Sequence, residues 1–225
     1  MEKRMLSKSQ IQLYLQCPLK WRFIYINKIP SIPSPQQTRG LDIHSQIENF
    51  YKNVSIVDKK IEVKNNIKIH NNFLKFEEKR LSECSDLKYF FPLHQELKIM
   101  NNEIMLRGII DAVYLNSKDD KIIIIDWKSG KFHKYAINDY RFELSLYAYL
   151  FNNSNLTKEK VKYIGMYFVD EDKLFFEEVK QKYIDKMLKT VDEVRKEIEK
   201  GTYLPKKNFY CDYCEFQDKC YNITK

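Results

Sequence analysis

Residues 122–128 read Ile-Ile-Ile-Ile-Asp-Trp-Lys. Four consecutive isoleucines leave no polar side to meet solvent, so the segment reads as a strand covered on both faces, a role suited to β-branched residues. Such a strand demands helices or a second sheet on either side of it. Side chains alternate along a strand, so Ile122, Ile124, Asp126 and Lys128 share one face, and Ile123, Ile125 and Trp127 share the other. Burial alone does not explain why this strand ends in a carboxylate and an ammonium two residues apart.

The preceding segment, Glu-Ile-Met-Leu-Arg-Gly-Ile-Ile-Asp-Ala-Val-Tyr-Leu over 103–115, repeats the anomaly. By alternation Ile109, Asp111 and Val113 share a face, with Gly108 and Ile110 opposite. Residues 116–120, Asn-Ser-Lys-Asp-Asp, supply a hairpin turn between the two strands. Pairing across that turn brings Asp111 and Asp126 to the same end of the sheet. Two neighbouring carboxylates on an apolar face repel, and one takes up a proton unless a cation neutralises them. A hard divalent cation, Mg²⁺ or Mn²⁺, needs only a few carboxylates. With Lys128 beside it, such a site suits phosphodiester hydrolysis, because metal and ammonium both stabilise the charge of the transition state. The alternative is a strand end reaching solvent, with Asp111 as a paired surface residue. His44, on an apolar helix face, reads either as a hydrogen-bonded core histidine or as a ligand, and Glu96 is equally two-sided.

The remaining elements frame a mixed α/β architecture. Residues 6–26 read as a helix capped by Ser7, with Gln10 three residues on and Leu13, Cys17 and Trp21 on one face. Residues 28–37, with three prolines, read as a loop, and 40–53 as a helix presenting Leu41, His44, Ile47 and Tyr51. A further helix is expected around 66–83 and a strand in 93–100. Beyond the hairpin, the pattern predicts a helix over 138–153, strands over 161–169 and 173–179, and a helix over 183–200 closed by Gly201. A central mixed β-sheet flanked by helices follows from this order.

The chain carries 39 Lys and Arg against 31 Asp and Glu, a formal net charge of +8. That balance attracts phosphate without specifying a reaction, and the excess of lysine over arginine fits an A+T-rich coding sequence as well as a function. No apolar run is long enough to span a membrane, and the start has no secretory core, so a cytoplasmic protein without a membrane partner is expected. Five cysteines, an odd count in that setting, favour metal ligation over a disulfide framework. Cys211, Cys214 and Cys220 form a C-x₂-C-x₅-C cluster, and Cys17 stands near the other end. Four thiolates suit either zinc or an iron–sulfur cluster. Cys84 reads as a lone thiol.

The segments Gly40–His44, Glu96 with Leu106–Tyr114, Ile122–Lys131 and Glu143–Tyr149, in this order, resemble the RecB-like branch of the PD-(D/E)XK nuclease superfamily. The resemblance implies a restriction-endonuclease-like core. It implies His44, Asp111, Asp126 and the carbonyl of Trp127 as ligands of Mn²⁺ or Mg²⁺, Lys128 as the catalytic lysine, and Glu96 and Tyr147 as further site residues. The family's Gln-x-x-x-Tyr helix motif reads Glu143-Leu-Ser-Leu-Tyr147 here, which adds a carboxylate near the metal or the DNA phosphate. The cysteine pattern is similar to that of CRISPR-associated RecB-like exonucleases and AddB-type nuclease domains, which implies a [4Fe–4S] cluster on Cys17, Cys211, Cys214 and Cys220, with zinc the alternative. One domain over 1–225 is expected, in which 1–30 and 201–225 form a cysteine module around a core of 38–200. The expected activity is exonucleolytic cleavage of DNA, single-stranded or at free ends, in CRISPR spacer acquisition with an integrase, in recombination and repair, or in viral DNA processing. Lys131, Lys134, Tyr140, Arg141 and Glu143 are expected along the DNA path. Two rivals stand beside this reading: a non-catalytic DNA-binding or assembly subunit on the same fold, and a zinc-binding adaptor.

Overall fold

A computed structural model describes residues 4–64 and 67–224. Residues 1–3, 65–66 and 225, which fall within the expected terminal module and the start of the expected 66–83 helix, lie outside the described residues. The elements run β1 (Leu6–Ser7), α1 (Lys8–Gln16), α2 (Pro18–Tyr25), α3 (Pro35–Asn53), β2 (Val54–Val57), β3 (Lys60–Val63) and α4 (Asn71–Glu83). They continue with β4 (His94–Asn101), β5 (Leu106–Leu115), β6 (Ile122–Lys128), α5 (Ile137–Asn152), β7 (Val161–Phe168), β8 (Lys173–Glu178), α6 (Gln181–Glu199) and α7 (Gln217–Thr224).

Six strands form one mixed sheet in the order β1-β5-β6-β7-β8, with β4 also paired to β5. The β5–β6 hairpin forms around the expected turn, with Ala112 opposite Ile125 and Leu115 opposite Ile122. β6 and β7 are parallel, joined through α5, and β8 returns antiparallel beside β7. The isoleucine strand is covered on both faces, as its composition requires. Ile122 and Ile124 enter a core built with α1, α2, α5 and α6, whereas Ile125 and Trp127 enter a second core built with α3 and α4. Full burial of such side chains stabilises the fold by roughly 1.5–3 kcal/mol each. α6 presents Ile184, Met187, Val191, Val194 and Ile198 to the first core and ends at Gly201, whose φ of +73° suits glycine at a helix terminus.

Several expectations change. The helix expected over 6–26 is broken at Cys17, which adopts an extended conformation (φ −159°) before Pro18 opens α2. Proline disfavours helical geometry in the residue before it, so Leu13, Cys17 and Trp21 do not continue one helical stripe. α3 starts at Pro35, inside the expected loop, because Ser34 and Gln37 cap it reciprocally. Its buried face carries Ile43, Gln46, Ile47, Phe50 and Tyr51, and Leu41 faces solvent. β2 and β3 form a small hairpin in the polar segment after α3. Finally, Ile109 is exposed, while Ile110 shares the first core with Val113. Strict alternation in β5 is therefore interrupted at Asp111.

The two ends of the chain meet. Asn208 Nδ2 donates to the Gln16 carbonyl (3.0 Å), Lys206 Nζ donates to that of Leu15 (2.8 Å), and Phe216 packs on Phe23 at 5.4 Å between ring centres. The tail expected to be irregular contains a short 3₁₀ turn at Phe209–Tyr213 and helix α7.

Candidate active site

β4 lines one edge of β5, from Asn101 opposite Leu106 to His94 opposite Val113. β1 and β6 must therefore share the other edge, β1 at Leu106–Arg107 and β6 at Ala112–Leu115. Between them, β5 residues 108–111 face a gap. There β6 leaves β5 yet stays paired with β7 as far as Lys128 opposite Phe168. The Trp127 N–H, freed from the β5 ladder, donates to Asp111 Oδ2 at 2.7 Å. In an extended strand the N–H and C=O of one residue point to the same edge, so the Trp127 carbonyl also faces the gap while its indole is buried on the far side of the sheet.

α3 and β4 supply the rest of the acidic end. His44 Nδ1 lies 3.5 Å from both Glu96 Oε1 and Asp111 Oδ1. One potential ligand atom from each of His44, Glu96 and Asp111 lies within 4.8 Å of the other two. Asp126 is buried; its Oδ2 accepts no well-aligned hydrogen bond from the described residues, although Lys128 Nζ is 2.6 Å away. Burial, and then the charge of Asp126, push the Asp111 carboxyl well above its usual range. Burial raises Asp126 as well, against the opposing pull of Lys128. At His44 burial acts downward, but the Glu96 hydrogen bond and the Asp111 and Asp126 carboxylates prevail and lift it to about 9. Two buried carboxyls whose proton affinity is raised, with Glu96 and an imidazole beside them, are a donor set short of positive charge. They fit a hard divalent cation: His44, Glu96 and Asp111 are grouped closely enough to share one ion, whereas Asp126, beside Lys128, falls outside that group.

The opposite end of the gap is cationic. Lys128 Nζ is 3.0 Å from Glu143 Oε1 on α5, and burial, which would favour the neutral amine, is outweighed by Asp126, Glu143 and Asp111. Lys128 is an ammonium. Glu143 is buried, yet Lys128 and Lys8 outweigh that burial and hold its carboxyl down at about 2. Tyr147, one turn along α5, donates its hydroxyl to the same Glu143 oxygen at 3.4 Å, and burial raises it so that it stays neutral. Glu143 thus lies inside the site.

The other residues expected along a DNA path separate into two groups. Lys131 and Lys134 are exposed just after β6 and form no ion pair among the described residues. The Tyr140 hydroxyl accepts the His133 N–H at 3.0 Å, and Arg141 makes two 2.9 Å bonds to Glu177, so both fasten the local structure. Lys8, whose Nζ lies 2.7 Å from Glu143 Oε1, was not expected. Its signal in the sequence is slight: a cation in the first turn of a helix opposes the helix dipole.

Three of the four patterned cysteines pack at one apolar nucleus beyond the C-terminus of α1. Cys17, Cys214 and Cys220 pack around Leu19, Phe23 and Phe216, and burial together with Cys17, Cys214 and Cys211 raises the Cys220 thiol. Cys17 Sγ accepts the Lys20 N–H and Cys211 Sγ accepts the Asn208 N–H. Their sulfurs do not reach the mutual spacing of the His44 set. Cys84 stands apart at the end of α4, its thiol raised by burial.

Known proteins bear on this geometry at three levels. The model of the PD-(D/E)XK nuclease superfamily matches residues 5–221. A polypeptide of an ATP-dependent helicase/nuclease from Clostridium novyi (strain NT) is 27% identical over 147 residues, covering 58% of this chain and 12% of the relative. A crystal structure from Eubacterium rectale, of a protein provisionally assigned as an exonuclease, superposes with a TM-score of 0.50 at 14% identity, over 98% of this chain and 88% of that one.

Proposed function

Because this chain belongs to the PD-(D/E)XK nuclease superfamily, we propose that it is a metal-dependent deoxyribonuclease that cleaves single-stranded DNA or the ends of duplexes. The observation that carries the reading is the bond from the Trp127 N–H to Asp111 Oδ2, which holds the carboxylates of β5 and β6 at one gap beside Lys128. A divalent cation bound there supplies Lewis acidity at the scissile phosphate. The protein's part is to hold His44, Glu96 and Asp111 within reach of one ion, with Asp126 and the Trp127 carbonyl on the neighbouring strand able to join them. Lys128, kept charged by Asp126 and Glu143, is placed to stabilise negative charge growing on the phosphate oxygens and to steady an attacking water.

Unpaired bases as the substrate are supported by the loop after the catalytic strand. Tyr135 is 84% exposed and stacks on His133 with ring centres 5.0 Å apart and planes 19° apart. Lys131 precedes the pair in sequence and Lys134 stands between its two residues, both exposed. Exposed aromatic faces beside lysines suit strands whose bases are free to stack. The relative from Clostridium novyi is named as part of a helicase/nuclease, which favours end processing in recombination or repair over a CRISPR setting.

We also propose that Cys17, Cys211, Cys214 and Cys220 hold a [4Fe–4S] cluster joining residues 1–30 and 201–225 into one module on the nuclease core. Support comes from the packing of Cys17, Cys214 and Cys220 at one apolar nucleus, with Cys211 near enough to act on the Cys220 thiol.

The test is cleavage of 5′- and 3′-labelled single- and double-stranded DNA with Mn²⁺, using anaerobically purified protein beside Asp126→Ala and Lys128→Ala. Loss of cleavage in both folded variants is expected; retained cleavage in either overturns the mechanism. Visible absorbance with four irons per chain is expected of the cysteine module, and a colourless protein with stoichiometric zinc overturns that assignment.

A further inference from the structure

Lys8 reaches the site from a segment tied down by backbone hydrogen bonds. Leu6 N–H donates to the Met105 carbonyl at 2.9 Å in the short parallel pairing of β1 with β5. The Arg195 guanidinium donates to the carbonyls of Arg4 (3.1 Å), Ile104 (2.7 Å) and Met105 (3.1 Å). Ser7 caps α1 through the Gln10 N–H. The backbone at Lys8 is therefore fixed against the open edge of β5, and its ammonium is delivered into the gap despite the unfavourable helix dipole.

There Lys8 Nζ and Lys128 Nζ converge on one oxygen, Glu143 Oε1, at 2.7 and 3.0 Å. Glu143 is a full negative charge added to a site that already holds Glu96, Asp111 and Asp126. Left to Lys128 alone, it would compete with Asp126 and with substrate phosphate for the same ammonium. A second cation on the same oxygen divides that attraction. We propose that Lys8 is a positioning residue for phosphodiester cleavage: by sharing Glu143 it leaves Lys128 available to the scissile phosphate, so Lys8 and Glu143 act as one charge-balanced pair. The proposal rests on the nuclease reading above.

The prediction is non-additive. Lys8→Ala leaves Glu143 to hold Lys128 alone, and kcat should fall about 10–100-fold with KM little changed, the range seen when a residue orienting a catalytic group is lost. Lys8→Arg, which keeps the charge, should retain more of the rate than Lys8→Ala. In Lys8→Ala/Glu143→Gln the surplus charge and its partner go together, and the loss in kcat should be clearly smaller than in Lys8→Ala alone, a coupling typical of residues in contact. Single-turnover cleavage of a labelled single strand with Mn²⁺ reads all of these, with melting temperatures establishing that each variant is folded; Lys8→Met, which keeps the aliphatic stem, replaces Lys8→Ala if that variant is not. A wild-type rate in Lys8→Ala or Lys8→Met, or a double variant no faster than the single, overturns the proposal. If Asp126→Ala is inactive in the same assay while the Lys8 variants are normal, the pair fails and the nuclease reading stands. If the wild-type protein does not cleave, both fall.

Discussion

Glu96 and Asp111 stand opposite each other at a rung that β4 and β5 leave unpaired: Gln95 pairs with Ala112 and Leu97 with Ile110. Glu96 there adopts a left-handed conformation, φ +45°. The alternation of faces slips by one residue at that rung, so that His94 and Leu97 both meet the core shared by Ile110 and Val113. The slip turns two acidic side chains toward His44 in the gap. A non-glycine residue held in this region stores on the order of 1 kcal/mol of strain. Glu96→Gly should therefore keep or raise the melting temperature, while weakening Mn²⁺ binding about tenfold or more. Glu96→Gln should weaken binding similarly with no gain in stability. Calorimetric titration and thermal melting read both. A destabilised Gly variant would remove the strain argument, and unchanged Mn²⁺ affinity would remove Glu96 from the donor set.

Asp111 does two jobs with its two oxygens, accepting the Trp127 N–H through one and facing His44 through the other. Asp111→Asn can keep the first job through its amide oxygen but carries no charge. It should fold at least as stably as the wild type in chelator, since a carboxylate crowded by Asp126 is gone, and it should lose DNA cleavage by about 100-fold or more. Asp111→Ala should be inactive and also less stable, by roughly 1–3 kcal/mol, because the Trp127 N–H is left without its partner. Equal stability of the two variants in urea would show that this bond does not fasten β6.

Much of this site is legible in the sequence where local periodicity carries it. The isoleucine run and its two cores follow from period two, and one hairpin turn places Asp111 and Asp126 on adjoining strands. The five apolar positions of α6 follow from period 3.6. What escapes are features set by tertiary neighbours or single-residue geometry. Alternation cannot reveal the slip at Glu96 and Asp111, because it arises jointly in two strands. Pro18 does announce the break at Cys17, but a continuous apolar stripe on both sides of it argues for one helix. The β2–β3 hairpin is short and lies in a polar segment. Lys8 meets Glu143 from the far end of the chain, with only its misfit to the helix dipole as a local trace.

His44 makes stability depend on pH in a stated direction. Burial lowers its proton affinity, but the Glu96 hydrogen bond and the Asp111 and Asp126 carboxylates raise the folded-state value to about 9 from 6.5. A raised histidine contributes stability that is fully present below about pH 6.5 and is lost as pH rises through about 9. The raised carboxyls of Asp111 and Asp126 act with the same sign, binding protons more tightly in the folded state. In chelator the unfolding free energy should fall by on the order of 2–3 kcal/mol between about pH 6.5 and about pH 9.5. His44→Asn should flatten that slope. Urea melts at the two pH values decide it, and an equal slope in both proteins would assign the loss to other groups.

Tyr135 is held out by its surroundings. Phe132 packs edge-on against Phe168 at 5.5 Å, its N–H donates to Glu171 at 2.9 Å, and the His133 N–H is bound by Tyr140. These contacts fix the loop just after Lys131 and leave the His133–Tyr135 stack facing solvent. Such a ring contributes nothing to the core, so Tyr135→Ala should melt within about 1 °C of the wild type, as surface substitutions do. If the stack receives bases, the same change should weaken binding of a single-stranded oligonucleotide about 5–100-fold, and Tyr135→Phe should preserve it. An abasic oligonucleotide of equal charge should bind both proteins alike, because its phosphates still meet Lys131 and Lys134. Fluorescence anisotropy in EDTA measures binding without cleavage. Equal losses for the abasic and base-bearing strands would reduce the loop to a purely electrostatic contact, and no loss for either would exclude it from the strand's path.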